Sequence, residues 1–235
     1  MLLWPLPAWA QLAEPDEEAI ETYRAALRAV ETQTTERGME TAFAQLWPVR
    51  QTLIRPRDSR WTLIESLTDG EFQKLLNDLP GLKIIRNELL FAGPDPDYFV
   101  KLADARGEPV DRAFFAALKA TYPDGVRAAY VQQQTDASGC TRFGSGTLVG
   151  THQLWSEFQR AFPDRYVVAA RREVERVSSE LTQSTCACGD AASVVQEMEA
   201  FVAALQASPI RARLIERVDA LRAGRSDIRT SCIAK

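Results

Sequence analysis

The chain has 235 residues, of which 46% are hydrophobic, so it can bury a full core as one domain or as two closely packed halves. Its formal net charge is −4 and its pI is about 5.3. Proteins that bind nucleic acid without sequence specificity usually carry an excess of basic residues on one face, so this charge balance argues against a general nucleic-acid-binding protein.

The first ten residues have the pattern of the end of a secretory signal peptide. Ala8-Trp9-Ala10 before Gln11 is a small-x-small cleavage pattern, and the apolar run before it is too short to span a bilayer. A positively charged start is missing, and an ordinary apolar N-terminal arm is the alternative. We expect residues 1–10 to be a signal remnant and residues 11–235 to form one helical domain, periplasmic or secreted, without stable membrane insertion.

Two amphipathic helices are predicted near the start of the chain. Residues 16–31 place apolar side chains at helical spacing and carry acidic residues in the first turn, where they favour the helix dipole. Gly38 separates this run from a second one at residues 39–47. Pro48 is expected to end that second helix, because an interior proline removes a backbone hydrogen bond.

The middle of the chain contains two helix starts and one short strand. Thr68 and Glu71 have the spacing of a capping box, and Asp95 before Pro96 is an N-cap followed by proline at the first helical position. A further helix is predicted from about residue 111 to Pro123. Residues 82–91 fit a strand or a helix, and we favour a strand.

The least helical part of the sequence follows Asp124-Gly125. Residues 126–131 could form a strand, and residues 135–150 are rich in glycine, serine and threonine. A loop of this length without regular structure is uncommon in a compact domain and is often functional. We therefore predict an irregular Gly-rich loop near residues 135–150, which contains Cys140.

Helical periodicity returns in the last third of the sequence, with a break at Pro163-Asp164 and another at a polar turn, residues 182–190. Asp190 is predicted to cap the helix after that turn, and Ser208 before Pro209 repeats the device for the final helix. The predicted fold class is therefore mainly α: a disulfide-linked helical domain of about eight helices with a possible small β element.

The four cysteines, Cys140, Cys186, Cys188 and Cys232, predict two disulfides. Cys186 and Cys188 are separated by a single residue and are poor partners for each other. Two connectivities remain: Cys140 with Cys186 and Cys188 with Cys232, or Cys140 with Cys188 and Cys186 with Cys232. The alternatives are free thiols or a metal site with His152, which the Cys-x-Cys spacing fits poorly. Disulfides agree with export to an oxidising compartment.

Gly144-Ser145-Gly146 invites two catalytic interpretations. As a phosphate cradle the stretch lacks the P-loop lysine, and as a nucleophile turn it lacks the Gly-x-Ser-x-Gly frame. The non-catalytic alternative is that the glycines allow the positive φ angles of a tight loop. His152 is the sole histidine, so a hydrolase site would have to pair it with Ser145.

We favour recognition over catalysis. Arg142 and Phe143 follow Cys140 in the predicted loop, and a cross-linked loop that displays an arginine and an aromatic ring is typical of protein interfaces. The partner-binding candidates are Arg142, Phe143 and His152, with no cofactor and no metal. The alternative is that Phe143 packs inward and Arg142 is solvated. The sequence thus predicts an exported, non-catalytic domain that binds another protein, such as an inhibitor or immunity-type partner, with a Ser145 and His152 hydrolase as the alternative.

Overall fold

The computed structural model describes residues 14–32, 36–56, 61–135, 138–183 and 186–229. The fold is mainly helical, with 64% helix, ten helices in the described part of the chain, two antiparallel two-stranded sheets and a disulfide. This confirms the predicted fold class, with more helices than the eight expected. None of the described helices is long and apolar enough to cross a membrane.

The chain divides into two compact units. The first comprises Met1–Lys119 and Asp124–Val126, and the second comprises Ala120–Pro123 and Arg127–Lys235. Compactness and independent folding are different properties, so the expectation of one domain over residues 11–235 stays a prediction. Residues 1–10 lie outside the described residues, and the signal remnant also stays a prediction.

The first unit is built from helices and one hairpin. Its elements are α1 (Glu14–Thr32), α2 (Gly38–Ile54), α3 (Leu63–Ser66), α4 (Asp69–Asp78), β1 (Leu82–Arg86), β2 (Leu90–Pro94), α5 (Pro96–Arg106) and α6 (Pro109–Thr121), whose last residues belong to the second unit. The capping box is formed, since Glu71 accepts from the Thr68 amide at 2.9 Å. Asp95 caps α5 as predicted.

The strand predicted at residues 82–91 is confirmed and proves to be most of a hairpin. β1 pairs antiparallel with β2, with Leu82 opposite Pro94 and Arg86 opposite Leu90. The turn is closed by Asn87, whose side-chain oxygen accepts from the Leu89 amide at 2.9 Å. Asn favours such turns because its side chain can replace a backbone acceptor.

Pro48 does not end the second helix, so that prediction is wrong. Pro48 lies inside α2, and both Pro48 and Ala44, whose carbonyl loses its amide partner, are exposed. The Ala44 carbonyl therefore lies on the solvent-exposed side of the helix. Leu46 and Val49 on the opposite side are fully buried. Their burial offsets the cost of about 3 kcal/mol that an interior proline imposes.

An aromatic cluster forms the centre of the first unit. The ring of Phe43 lies 5.7 Å from that of Phe99, 5.1 Å from Phe114 and 5.5 Å from Phe115, all in edge-to-face geometry. Phe99 stacks on Phe115 at 4.9 Å. Such contacts contribute about 0.5 to 1.5 kcal/mol each beyond the buried area. They join α2, α5 and α6 into one core.

The second unit contains β3 (Val131–Gln133), β4 (Gly139–Thr141), α7 (Thr147–Ala161), α8 (Val167–Thr182), α9 (Ala191–Ala204) and α10 (Arg211–Arg222). The irregular loop predicted at residues 135–150 is therefore wrong in part, since it holds β4 and the start of α7. The possible strand at 126–131 is reduced to Val131. The reason is a turn, in which the Val131 amide bonds the Ala128 carbonyl at 2.8 Å.

Ser208 does not cap the final helix. Its hydroxyl has no hydrogen-bond partner among the described residues, and α10 begins later, after Ile210, without a side-chain cap. The Arg211 amide instead bonds the Ser208 carbonyl at 3.1 Å. Asp190, by contrast, caps α9 as predicted, accepting from the Ser193 amide at 2.9 Å.

Replacing Gly81 by alanine is expected to destabilise the protein by about 2 kcal/mol or more. Gly81 has φ +81°, and an added Cβ would lie 2.8 Å from the Tyr23 hydroxyl and 2.8 Å from the Tyr98 ring. Urea denaturation measures the change. Gly70→Ala is the matched control, because nothing lies within 4 Å of the added carbon in α4. The control should gain about 0.5 to 1 kcal/mol, and equal effects in both variants would contradict this account.

Candidate functional site

Cys140, Cys186 and Cys188 lie in a small sheet of the second unit. β3 pairs antiparallel with β4, and residues 186–188 run parallel to β4. The Thr141 amide bonds the Cys186 carbonyl at 2.7 Å, and the Cys188 amide bonds the Thr141 carbonyl at 3.0 Å. On the far side the Ala187 amide bonds the Arg229 carbonyl at 3.3 Å. We call β3, β4 with Arg142, residues 186–188 and Arg229 the disulfide-linked sheet.

Cys140 and Cys188 form a disulfide with a Cα separation of 5.0 Å. This pairing excludes the connectivity that joins Cys140 to Cys186. Cys186 is also disulfide-bonded, and Cys232 lies outside the described residues. Sulfurs bonded to each other are not free to ligate a metal, which overturns the metal alternative for this pair. Across the described ranges, no group of three or more His, Cys, Asp or Glu residues is placed to hold a metal ion.

The surroundings of the bond favour a structural role over thiol exchange. Cys140 is only 3% exposed, whereas Cys188 is exposed. An external thiolate can therefore approach Cys188 but must expel Cys140 as a buried anion, which is unfavourable in an apolar environment. Attack on Cys140 is blocked by burial. The geometry suits a permanent link.

A buried arginine fixes the chain just before Arg229. Arg217 on α10 is 7% exposed, and its guanidinium binds both carboxylate oxygens of Asp227 at 3.0 and 3.1 Å. The same guanidinium donates to the Leu181 carbonyl at 2.5 Å, in the last turn of α8. Cations are favoured at this end of a helix dipole, and a charge-assisted bidentate pair is strong.

Phe143 is not displayed, which corrects the predicted recognition loop. It is 8% exposed and belongs to the core of the second unit. Arg142 is exposed, and its guanidinium donates to the Ala129 carbonyl. The stated alternative, with Phe143 inward and Arg142 outward, is therefore the one observed. The cause is strand alternation, because Thr141 and Phe143 project from the buried face.

His152, the third partner-binding candidate, is buried in α7 and cannot meet a partner as placed. It is 7% exposed, and its ring lies edge-on to Phe201 of α9, 4.8 Å between centroids. Nδ1 lies 3.3 Å from the Ser156 hydroxyl. Burial lowers the pKa of His152 below its ordinary value of 6.5, so the ring is neutral at pH 7.

The Ser145 and His152 pair of the hydrolase alternative is not assembled. Ser145 is exposed, and its hydroxyl bonds that of Thr147 at 2.9 Å. The imidazole of His152 bonds Ser156 instead. A nucleophile and its base must reach each other within hydrogen-bond distance, and these two described side chains bond different partners.

Glu197 is a buried carboxylate that the sequence patterns missed. It is 1% exposed, and its carboxylate accepts from the amides of Gly146 at 2.7 Å, Leu148 at 3.1 Å and Val149 at 3.3 Å. The N-cap of α7, Gly146, has no side chain of its own to do so. Gly146, from the stretch considered as a phosphate cradle, and two amides of the first turn of α7 thus bind an internal carboxylate.

A second polar cluster lies against α8. The Tyr122 hydroxyl donates to Glu173 at 2.6 Å, and Arg176 contacts both side chains. Burial is the main cause that raises the pKa of Tyr122, so its hydroxyl stays a neutral donor. The nearby hydroxyl of Tyr130 is buried and has no partner among the described atoms. The cluster joins the chain after α6 to α8.

Replacing Glu197 by alanine is expected to lower the unfolding free energy by about 2 to 4 kcal/mol, because three buried amides lose their acceptor. Urea denaturation of the oxidised protein measures the loss. Glu199→Ala on the same helix is the control, since Glu199 makes a surface ion pair with Arg222. The control should lose less than about 1 kcal/mol. A similar loss in both variants would show that Glu197 is not a cap.

His152 should make stability depend on pH below about 6.5. Its pKa is lowered in the folded state, so the unfolded chain binds the proton more readily. The unfolding free energy should therefore be constant just above this pH and fall as the pH drops through the unfolded pKa. His152→Phe keeps an aromatic ring against Phe201 and should remove the fall between pH 7 and 5.5. An unchanged pH profile in the variant would refute the assignment.

Comparison with known proteins leaves this geometry as the basis for function. No family model matches the chain, and neither a curated protein nor a solved structure gives a match. The disulfide-linked sheet and the Glu197 cap are therefore interpreted from their own contacts.

Proposed function

We propose that the chain is an exported, non-catalytic domain that binds another protein, in the manner of an inhibitor or immunity-type partner. The observation that carries this proposal is the Cys140–Cys188 disulfide across the sheet. Structural disulfides persist in oxidising compartments, which supports a periplasmic or secreted location. The bond also holds the sheet in one conformation before any partner arrives.

Rigidity is what favours recognition at this sheet. Association costs free energy because side chains and loops lose freedom, and a surface that is already ordered loses less. Gln132, Gln134 and Arg142 are exposed on the hairpin that Cys140 fixes. These residues replace Phe143 and His152 as the candidates for partner contact. The hydrolase alternative gains no supporting observation, since Ser145 and His152 bond elsewhere.

A photo-cross-linking residue placed at Gln132 tests the proposal in the organism that produces the protein. We expect a discrete cross-linked protein from the oxidising compartment, identified by mass spectrometry. The same residue at Gln73, an exposed glutamine on α4, is the matched control and should give no such product.

Thiol labelling of the same cell fractions tests the compartment. The protein should be recovered outside the cytoplasm, and its cysteines should react with maleimide only after reduction. In the cross-linking experiment, identical cross-links from Gln132 and Gln73 would refute the binding surface. Four reactive thiols in freshly isolated protein would refute the export.

A further inference from the structure

The two faces of the disulfide-linked sheet differ in chemistry. Val131, Thr141 and Ala187 lie side by side across the sheet. Thr141 and Ala187 are 5% and 6% exposed, so this row faces the core. Because side chains alternate along a strand, the neighbouring residues point to the opposite face. We call it the outward face, since it is exposed at Gln132 and Arg142, although Cys140 on it is buried.

Register places two arginines on this outward face. Gln132 pairs with Cys140, and Arg142 shares the Cys140 side of β4. Cys186 precedes the inward Ala187, and its bridge partner is Arg229. Gln132, Arg142 and Arg229 are all exposed. The outward face therefore carries two guanidinium groups beside the amides of the hairpin.

Three described carboxylates near this sheet have hydrogen-bond or ion-pair partners within the protein, although Asp190 and Asp227 remain exposed. Glu180 accepts from the Thr141 hydroxyl at 2.8 Å, Asp190 accepts from the Ser193 amide at 2.9 Å, and Asp227 pairs with the buried Arg217 at 3.0 Å. The sheet itself contains no acidic residue. The charged side chains of the sheet's own residues are therefore the exposed Arg142 and Arg229, on a chain of net charge −4.

We propose that this outward face binds an acidic segment of a partner protein. The guanidiniums of Arg142 and Arg229 pair with carboxylates, and the amides of Gln132 and Gln134 bond the partner's backbone. The inference rests on the proposed function and adds the partner's chemistry to it. It favours a protein over a nucleic acid, because a long phosphate backbone would extend beyond two arginines onto an acidic molecule.

Charge complementarity of this kind acts mainly on association. Exposed ion pairs contribute little to the free energy of binding. Salt at 0.1 M ionic strength screens the interaction between exposed charges that are more than about 10 Å apart. Their field nevertheless steers the partner and raises the association rate. Binding through this face should therefore weaken as salt is added.

Fluorescence anisotropy of the oxidised, full-length chain with a labelled decapeptide rich in Asp and Glu tests the proposal. The acidic peptide should bind and a lysine-rich decapeptide should not. Arg142→Glu with Arg229→Glu should weaken binding by about tenfold or more. Arg160→Glu with Arg171→Glu changes the net charge equally at exposed arginines on α7 and α8, and should change binding by less than about twofold.

The outcomes separate this inference from the proposed function. Equal weakening by both double variants, or no binding of the acidic peptide, overturns the acidic-segment proposal. Equally tight binding of a single-stranded oligonucleotide of the same charge also overturns it. A specific cross-link at Gln132 without binding of the acidic peptide would leave the protein-binding function standing. Thermal unfolding shows that each variant is folded.

Discussion

The Cys140–Cys188 bond is the constraint on which the second unit depends. β3 and β4 are three residues each, and a two-stranded sheet of that size is marginal in water. The bond joins residues 48 apart in sequence and so restricts the conformations of the unfolded chain. This restriction contributes about 2 to 4 kcal/mol to the free energy of unfolding. Asp190 caps α9 two residues after Cys188, so the same link fixes where that helix begins.

Helix α9, which begins next to the sheet, also makes the contacts that fix α7. Two turns beyond its cap, Glu197 reaches the first amides of α7, and one turn later Phe201 meets His152. A buried carboxylate is costly unless it is hydrogen-bonded, and here three amides and the positive end of a helix dipole compensate it. A polar cap and an aromatic contact therefore fix one helix pair. The chain gains a specific packing from a group that would be unfavourable alone.

The sequence predicted the parts whose cause is local. Helical spacing located α1 and the later helices, and the capping patterns at Thr68, Asp95 and Asp190 are properties of a few neighbouring residues. The sequence wrongly predicts that Pro48 ends α2, because the burial of that helix depends on distant partners. β4 was missed because three residues in a Gly-rich stretch carry almost no periodicity.

The candidate site was harder to predict for the same reason. Glu197 lies 51 residues from Gly146, and no local pattern joins them. One signal was present: Glu197 interrupts an apolar stripe with Val194, Met198 and Phe201, where a charge needs a buried partner. Phe143 differs from Glu197, because the sequence assigns it a binding role at the surface and it is buried. Once β4 is known, side-chain alternation places Phe143 on the same face as Thr141, and both are buried.

The proposed recognition surface is a sheet face and not a loop tip, and this difference changes how it would bind a partner. A loop that displays a phenylalanine gains affinity by burying an aromatic anchor, which favours slow dissociation. The outward face of the sheet instead offers Arg142, Arg229 and glutamine amides, groups that are exposed in the free protein. Such a surface gains selectivity through charge and hydrogen-bond geometry. Its rigidity then becomes essential, because polar contacts compensate their desolvation only when they are well aligned.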